Sequence, residues 1–411
     1  MITRSRPRLV YYTSGLWPCG VASYQRNLAT ATAEFAEVET VRLPTERVFG
    51  NNLVALLAQR RVYRQLAARS AGADGVVLDY TDTFWNGSRL GENLFPSFAR
   101  RLRAPTVLIL HEGPGRTDPA DISGPFPVKA GKRLVHLALA ARDAHSRYYD
   151  DFVREKLFSF AAHMVTHSRP LAQSRSKDLP VARVHVLPTP TYTLPASAWS
   201  TTEIESRFGL SGKRVAVLLG FPQPSKGFDR AVTCLPHLPA DVVFLQVGTS
   251  DRSRAQCEAL TAHAAALGAG DRFIRAGYLT DPELAAVLRR ADVAVAPFRA
   301  VHHSSSLGHL IAFGIPIVAA DIPSTRELAA DGAGLVFADC DDPKALADVV
   351  TAVVSDRAFA EELRTLNDTY TRAHGFRSVA RFVCGLFGPT TPVLGRAESG
   401  VEVPVASGSV S

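Results

Sequence analysis

Arg214-Val215-Ala216-Val217-Leu218-Leu219-Gly220-Phe221-Pro222-Gln223-Pro224-Ser225-Lys226-Gly227-Phe228-Asp229 decides how this chain folds. After Arg214 the residues are apolar without a polar break. That marks a strand buried on both faces of a parallel sheet, not the alternation of a half-exposed one. Gly220, Pro222 and Pro224 then stop the strand, and a helical pattern begins at Gly227. Strand, tight loop and helix make half of a right-handed βαβ unit. Ligands in such sheets sit at the C-terminal ends of the strands. Lys226 therefore stands at a helix start and is aimed at a ligand. A point cation there suits a diphosphate. Only seven of the 46 basic residues are lysines, so this one stands out. The plain alternative is a solvated loop lysine. The P-loop order G-x-x-x-x-G-K-[ST] is absent.

The same grammar runs along the chain. Strands are predicted at Leu9–Thr13, Val76–Asp79, Thr106–Leu110, Met164–His167 and Val184–Leu187, then at Arg214–Leu219, Val242–Val247, Arg272–Arg275, Val293–Ala296 and Ile315–Ala319. Helical patterns lie between them, at 21–36, 52–70, 130–161, 227–236, 252–267, 281–290, 305–313 and 343–354. The alternation pauses at Pro188-Thr189-Pro190-Thr191-Tyr192-Thr193-Leu194-Pro195, which cannot be helical. The expected fold class is α/β, with two Rossmann-like, doubly wound parallel-sheet domains facing a cleft. The expected division is an N-terminal domain at 1–190, a linker at 191–205 and a C-terminal domain at 206–371. A helix at 372–387 is expected to return to the first domain, followed by a disordered tail at 388–411.

Composition narrows the class. The chain has 411 residues, 46% hydrophobic and 21% charged, which is ordinary for a soluble globular protein. No apolar run reaches the ~18 residues of a membrane span, and no signal-peptide core follows the basic N-terminus. A cytoplasmic location is expected. The five scattered cysteines, with no C-x-x-C, argue against zinc and disulfide frameworks. The net charge of +7 is uneven. Residues 1–200 hold 26 Lys+Arg against 16 Asp+Glu, and the rest hold 20 against 23. The first half therefore suits an acidic partner: a phosphorylated or carboxylated substrate, an anionic lipid surface or nucleic acid.

Three further loops carry candidate chemistry. Gly20, at the end of Ser14-Gly15-Leu16-Trp17-Pro18-Cys19-Gly20, lets a ligand approach amides at a helix start; a tight structural turn is the alternative. Ser304, Ser305 and Ser306 lead into an apolar helix and make an anion site, unless one serine merely caps the helix. The neighbouring His302, His303 and His309 make a poor metal site, because no carboxylate completes a ligand set. His111-Glu112-Gly113-Pro114-Gly115-Arg116 follows a buried strand. His111 is placed to hydrogen-bond a substrate hydroxyl, with help from Glu112 or Arg116. Alternatively, Glu112 only fixes the loop.

At these loops the chain resembles the retaining glycosyltransferases of family 4, which have the GT-B architecture. The likeness covers most of residues 8–385. It is strongest in Gly220–Ala231 and in Gly277–Asp321, with its rhythm of helix, strand, proline, loop, helix and Gly-x-Pro strand. The resemblance implies a metal-independent sugar transfer from a nucleotide-diphosphate sugar, UDP on family frequency, to an acceptor hydroxyl of a small molecule, natural product, glycan or lipid. No other cofactor is implied. Lys226 would contact the donor diphosphate. Gly277, Tyr278 and Leu279 would read the base, mostly through backbone. Ser304, Ser305 and Ser306 would hold the distal phosphate, and Gly20 would let the first domain approach it. His111 would face the donor sugar, and Glu327 matches a family glutamate. The family's front-face mechanism would pass the acceptor proton to a leaving phosphate oxygen.

The chain departs from the family at three positions. Phe221 replaces an arginine, and Val301 and His309 replace the two glutamates of E-x7-E. His309 would then hold the ribose through a ring nitrogen, with His302 or His303 facing the sugar. The departures motivate one rival, a catalytically silent GT-B protein that binds a sugar nucleotide or serves as a partner subunit. A second rival is a GT-B phosphorylase or an epimerase, the latter less attractive without a clear carboxylate acid/base. Arg60, Arg61, Arg64 and Arg69, with Arg100, Arg101 and Arg103, offer a basic surface for peripheral contact with an anionic membrane; a solvated arginine-rich face is the alternative. The basic residues are not interleaved with aromatics, which argues against nucleic acid.

Overall fold

A computed structural model describes residues 6–14, 20–44, 53–80, 85, 94–111, 161–175, 183–196, 199–249, 253–301 and 303–387. Two parallel six-stranded sheets dominate it. The first sheet has the order β2-β1-β3-β4-β5-β6, from β1 (Arg8–Ser14), β2 (Glu37–Leu43), β3 (Gly75–Tyr80), β4 (Thr106–Leu110), β5 (His163–Thr166) and β6 (Val184–Val186). The second has the order β12-β11-β10-β7-β8-β9. Its strands are β7 (Arg214–Leu219), β8 (Val242–Val247), β9 (Phe273–Gly277), β10 (Val293–Ala296), β11 (Ile317–Ala320) and β12 (Leu335–Ala338).

The strands seen in the sequence as apolar runs are the central ones. β3, β4, β8 and β10 are buried at every position. Two strands escape that reading, and both lie at sheet edges. β2 runs Glu-Val-Glu-Thr-Val-Arg-Leu with an alternating, half-exposed pattern, as an edge strand with one wet face does. β12 is only partly buried. Helices Arg169–Arg175, Thr201–Phe208, Pro323–Ala330 and Arg357–Ala373 are also additional. The expected helix at 130–161, bar its last residue, and the tail at 388–411 lie outside the described residues.

Each sheet has its own core. Val215, Val217, Phe244, Leu245, Val293 and Ile317 anchor the second. The first sheet is covered on two faces. Tyr12, Tyr63, Trp85 and Phe98 pack on one side. On the other, Tyr11, Tyr24 and Leu28 meet Phe376, Val379 and Val383 of helix Phe376–Gly385. The chain's last described helix therefore packs against helix Gly20–Thr32 of the first sheet.

Candidate active site

The strand order of the second sheet reverses at β7, which pairs with β8 on one side and β10 on the other. A topological switch of this kind opens a crevice at the strands' C-terminal ends. The loop after β7 and the loop after β10 are thereby forced together. Pro224–Lys226 form a short 3-10 turn, and Gly227 follows in the left-handed region at φ 63°. A Cβ on Gly227 would stand 2.0 Å from the Pro297 carbonyl oxygen, so both conformation and space require glycine. Arg299 fastens the turn. Its backbone N–H donates to Ser225 O at 2.8 Å, and its guanidinium to Pro224 O at 3.0 Å. The same guanidinium holds Asp229 in a two-pronged pair, which keeps that carboxyl below its ordinary pKa.

This clamp aims Lys226. Its Nζ donates to Ser304 Oγ at 3.1 Å and lies 4.2 Å from the centre of the Phe298 ring. Ser304 is the N-cap of helix Ser305–Ala312 but makes no capping bond with its side chain. The plain capping reading therefore does not describe Ser304. No acidic residue stands in the helix's first turn, and none stands in that of helix Gly20–Thr32. A Cβ on Gly20 would be 3.4 Å from Ser305 Oγ, and one on Gly220 would be 3.0 Å from Ser306 Oγ. Two helix starts, one from each sheet, thus converge beside one ammonium and three serines. Such a cradle favours an anion through dipole ends, amides and hydroxyls.

The first sheet supplies a second group. His111 directly follows β4, and its Nε2 lies 2.9 Å from Asp79 Oδ1. Tyr24 packs edge-on against His111 with ring centres 4.5 Å apart. His303, from the loop after β10, reaches across to stand 5.3 Å from His111 and 5.0 Å from His167. Tyr24 Oη lies 2.7 Å from His167 Nε2, and His167 Nδ1 lies 3.0 Å from the carbonyls of Leu187 and Pro188. Only an Nδ1–H serves both carbonyls, so Nε2 accepts from the tyrosine. Burial pushes His167 down to about 4 and His303 well below its ordinary value. His303 Nε2 is buried without a hydrogen bond. It lines a small cleft with His167, Ser304, Ser324, Glu327 and Asp331.

The other expected residues are placed as follows. His309 stacks on Tyr192 with ring centres 4.1 Å apart, and burial lowers it to about 4. Tyr192 Oη donates to Ser305 Oγ at 2.9 Å. Gly277 ends β9, Tyr278 is 42% exposed, and the Leu279 side chain belongs to the core. Glu327 accepts from the Arg169 backbone N–H at 3.1 Å and so joins the two halves of the chain. Glu112, Arg116 and His302 lie outside the described residues. Among the described residues no three His, Cys, Asp or Glu side chains converge as metal ligands would. Asp79, Tyr24, His167, Tyr192 and Arg299 were not singled out in the sequence. Only Asp79 carried a signal, as a lone charge ending an apolar strand.

Two Rossmann-like sheets facing one another across such a cradle define the GT-B architecture. The Anabaena protein Alr3699/HepE, solved in complex with UDP and glucose, superposes with a TM-score of 0.68 at 13% identity, covering 92% of this chain and 98% of that one. Residues 213–356 match the family model described as glycosyl transferases group 1. Among curated proteins, a D-inositol 3-phosphate glycosyltransferase of Xylanimonas cellulosilytica is 27% identical over 272 residues, 63% of this chain and 64% of that protein. A phosphatidyl-myo-inositol mannosyltransferase of Mycobacterium leprae is 29% identical over 200 residues, 48% of this chain and 50% of that one. The matches thus span under two thirds of the first relative and half of the second.

Proposed function

We propose that this chain is a glycosyltransferase that moves a sugar from a nucleotide-diphosphate donor, with UDP the first candidate, to an acceptor hydroxyl. The observation that carries the reading is the meeting of Gly20, Ser304, Ser305, Ser306 and Lys226 at one point. Cleaving the sugar–phosphate bond places negative charge on the departing diphosphate. Fixed amides, hydroxyls and an ammonium stabilise that charge without reorganising, at about 3–4 kcal/mol per well-placed donor. His111 and His303 would face the sugar, and Gly277–Leu279 the base. Both helix starts bear on the diphosphate, so closure of the lobes would exclude water from the reacting carbon. Retention at that carbon and a metal-independent, front-face step follow the family likeness. The lobes are taken as 1–190 and 206–371, and the acceptor as docking on the basic first lobe, at an anionic membrane face where it is a lipid. Among the described residues no helix is long and apolar enough to cross a membrane.

Phe221, Val301 and His309 favour one rival, a sugar-nucleotide binder without turnover. Incubation with a panel of UDP-, GDP-, ADP- and TDP-sugars, followed by NMR of the sugar released or transferred, separates the two. Slow donor hydrolysis that Lys226→Met abolishes supports the enzyme. Nucleotide-dependent thermal stabilisation with no turnover supports the binder.

A further inference from the structure

His111 is held by a carboxylate that no sequence motif marks. Asp79 lies opposite Ile109 in the β3–β4 register, and His111 follows two residues beyond Ile109. Side chains alternate along a strand, so Asp79 and His111 share one face of the sheet. Asp79 is 1% exposed and His111 4%. A buried carboxylate costs several kcal/mol unless a partner compensates it. Burial raises the Asp79 pKa, and the imidazole is the main group opposing that rise. Gln25, from helix Gly20–Thr32, lies close enough to add to the opposition. Neither atom of its amide makes a hydrogen bond, however, and neither does Asp79 Oδ2. The Asp79 contact therefore fixes which imidazole nitrogen carries the proton. An ionised Asp79 accepts from Nε2–H, and in the neutral ring Nδ1 is then the lone pair. Tyr24 holds the ring edge-on, at 74° between planes.

We infer that Asp79 is a positioning residue of the site: it locks His111 in the Nε2–H tautomer, so that Nδ1 accepts a hydrogen bond from a carbohydrate hydroxyl. The inference rests on the reading of the cleft as a sugar-transfer site. It also narrows the substrate. A lone-pair acceptor pairs with a hydroxyl and repels a carboxylate, so a neutral hexose is taken over a uronic acid at this position. Asp79 acts through His111 and touches no reacting atom.

The test is a long-range proton–nitrogen NMR spectrum of the full-length chain labelled at histidine, with His111 assigned by its loss in His111→Gln. The wild type should show His111 as Nε2–H at neutral pH. Asp79→Asn can meet Nε2 with its amide N–H, which converts the ring to Nδ1–H, or with its oxygen, which leaves it Nε2–H, and the variant's own spectrum tells which. With the ring converted, the variant should lose about tenfold or more in kcat/KM while UDP affinity, measured by calorimetry, stays within twofold. In the serine-protease triad the matching carboxylate-to-amide change costs about 10⁴ in kcat through the wrong tautomer. An Nδ1–H ring in the wild type, or undiminished kcat/KM in a variant whose ring has become Nδ1–H, would overturn the inference. Should Asp79→Asn fold poorly or keep the Nε2–H ring, the wild-type spectrum alone still decides. Absence of any transfer by the wild type would sink the proposed function and leave the tautomer result standing.

Discussion

Gly20 and Ser305, the first residues of two helices from opposite sheets, face each other so closely that a methyl group on the glycine would touch the serine hydroxyl at 3.4 Å. Neither first turn carries an acid that competes for an anion. A diphosphate beside them would feel both dipole ends, and a side chain at position 20 would intrude on its approach. Gly20→Val should weaken UDP binding by tenfold or more, about 1.4 kcal/mol, with the ligand-free melting temperature within a few degrees of wild type. Calorimetric titration of UDP checks this, and unchanged affinity would contradict the cradle.

Lys226 offers a second handle on the same site. In the folded chain its ammonium makes the 3.1 Å bond to Ser304 and the contact with Phe298, which are worth about 1 kcal/mol in a partly wet setting. Its larger part should appear only when charge develops on the leaving group. Lys226→Met is expected to lower kcat by about 10²-fold or more while shifting stability by about 1 kcal/mol or less. Steady-state kinetics alongside urea melts distinguish that split from general damage.

Most of the fold was legible because central parallel strands are nearly continuous apolar runs; Val293–Ala296, and Val242–Val247 with its single polar Gln246, could be little else. The edge strands β2 and β12 were not, because one wet face removes the continuous apolar run. The cradle was legible for a related reason: Lys226 and Ser304–Ser306 sit directly after strands, where topology fixes position. Tyr24 and Tyr192 were hidden, since each looks locally like core or linker, and Asp79 showed only as a charge at the end of an apolar strand. Their roles arise from pairing across 143, 113 and 32 residues of chain, to His167, Ser305 and His111. Local sequence patterns do not encode separations of that length.

Gly308 tests the seam between linker and second sheet. A Cβ there would lie 2.6 Å from Pro190 O and 2.9 Å from the Tyr192 ring. Alanine normally gains about 1 kcal/mol over glycine inside a helix. Here a backbone carbonyl cannot yield as a flexible side chain would, and overpacking costs about 1–3 kcal/mol. The clash should win. Gly308→Ala is expected to lower the melting temperature by several degrees and to weaken UDP binding by displacing Tyr192 from Ser305. A neutral or higher melting temperature would show that the seam is looser than its geometry.

Buried imidazoles set the pH response. His167 and His309 fall to about 4, and His303 is also lowered, all mainly through burial. A histidine in the unfolded chain titrates near 6.5. Between that value and its folded pKa the unfolded state binds more protons, so stability falls as pH drops through this window. Asp79 and Glu327 are shifted upward by burial and act in the opposite sense, so a bare stability profile mixes both signs. A difference experiment removes the carboxylates. His309→Phe keeps the stack on Tyr192, cannot titrate and deletes a buried nitrogen, Nδ1, that has no hydrogen bond. Relative to wild type, the variant should gain as pH falls from 6.5 towards 4, by up to about 3 kcal/mol in total at roughly 1.4 kcal/mol per pH unit. Urea melts of both proteins at pH 7.5, 6.5, 5.5 and 4.5 measure the gap. A gap independent of pH would mean that His309 titrates alike in the folded and unfolded chains, as a ring open to water does.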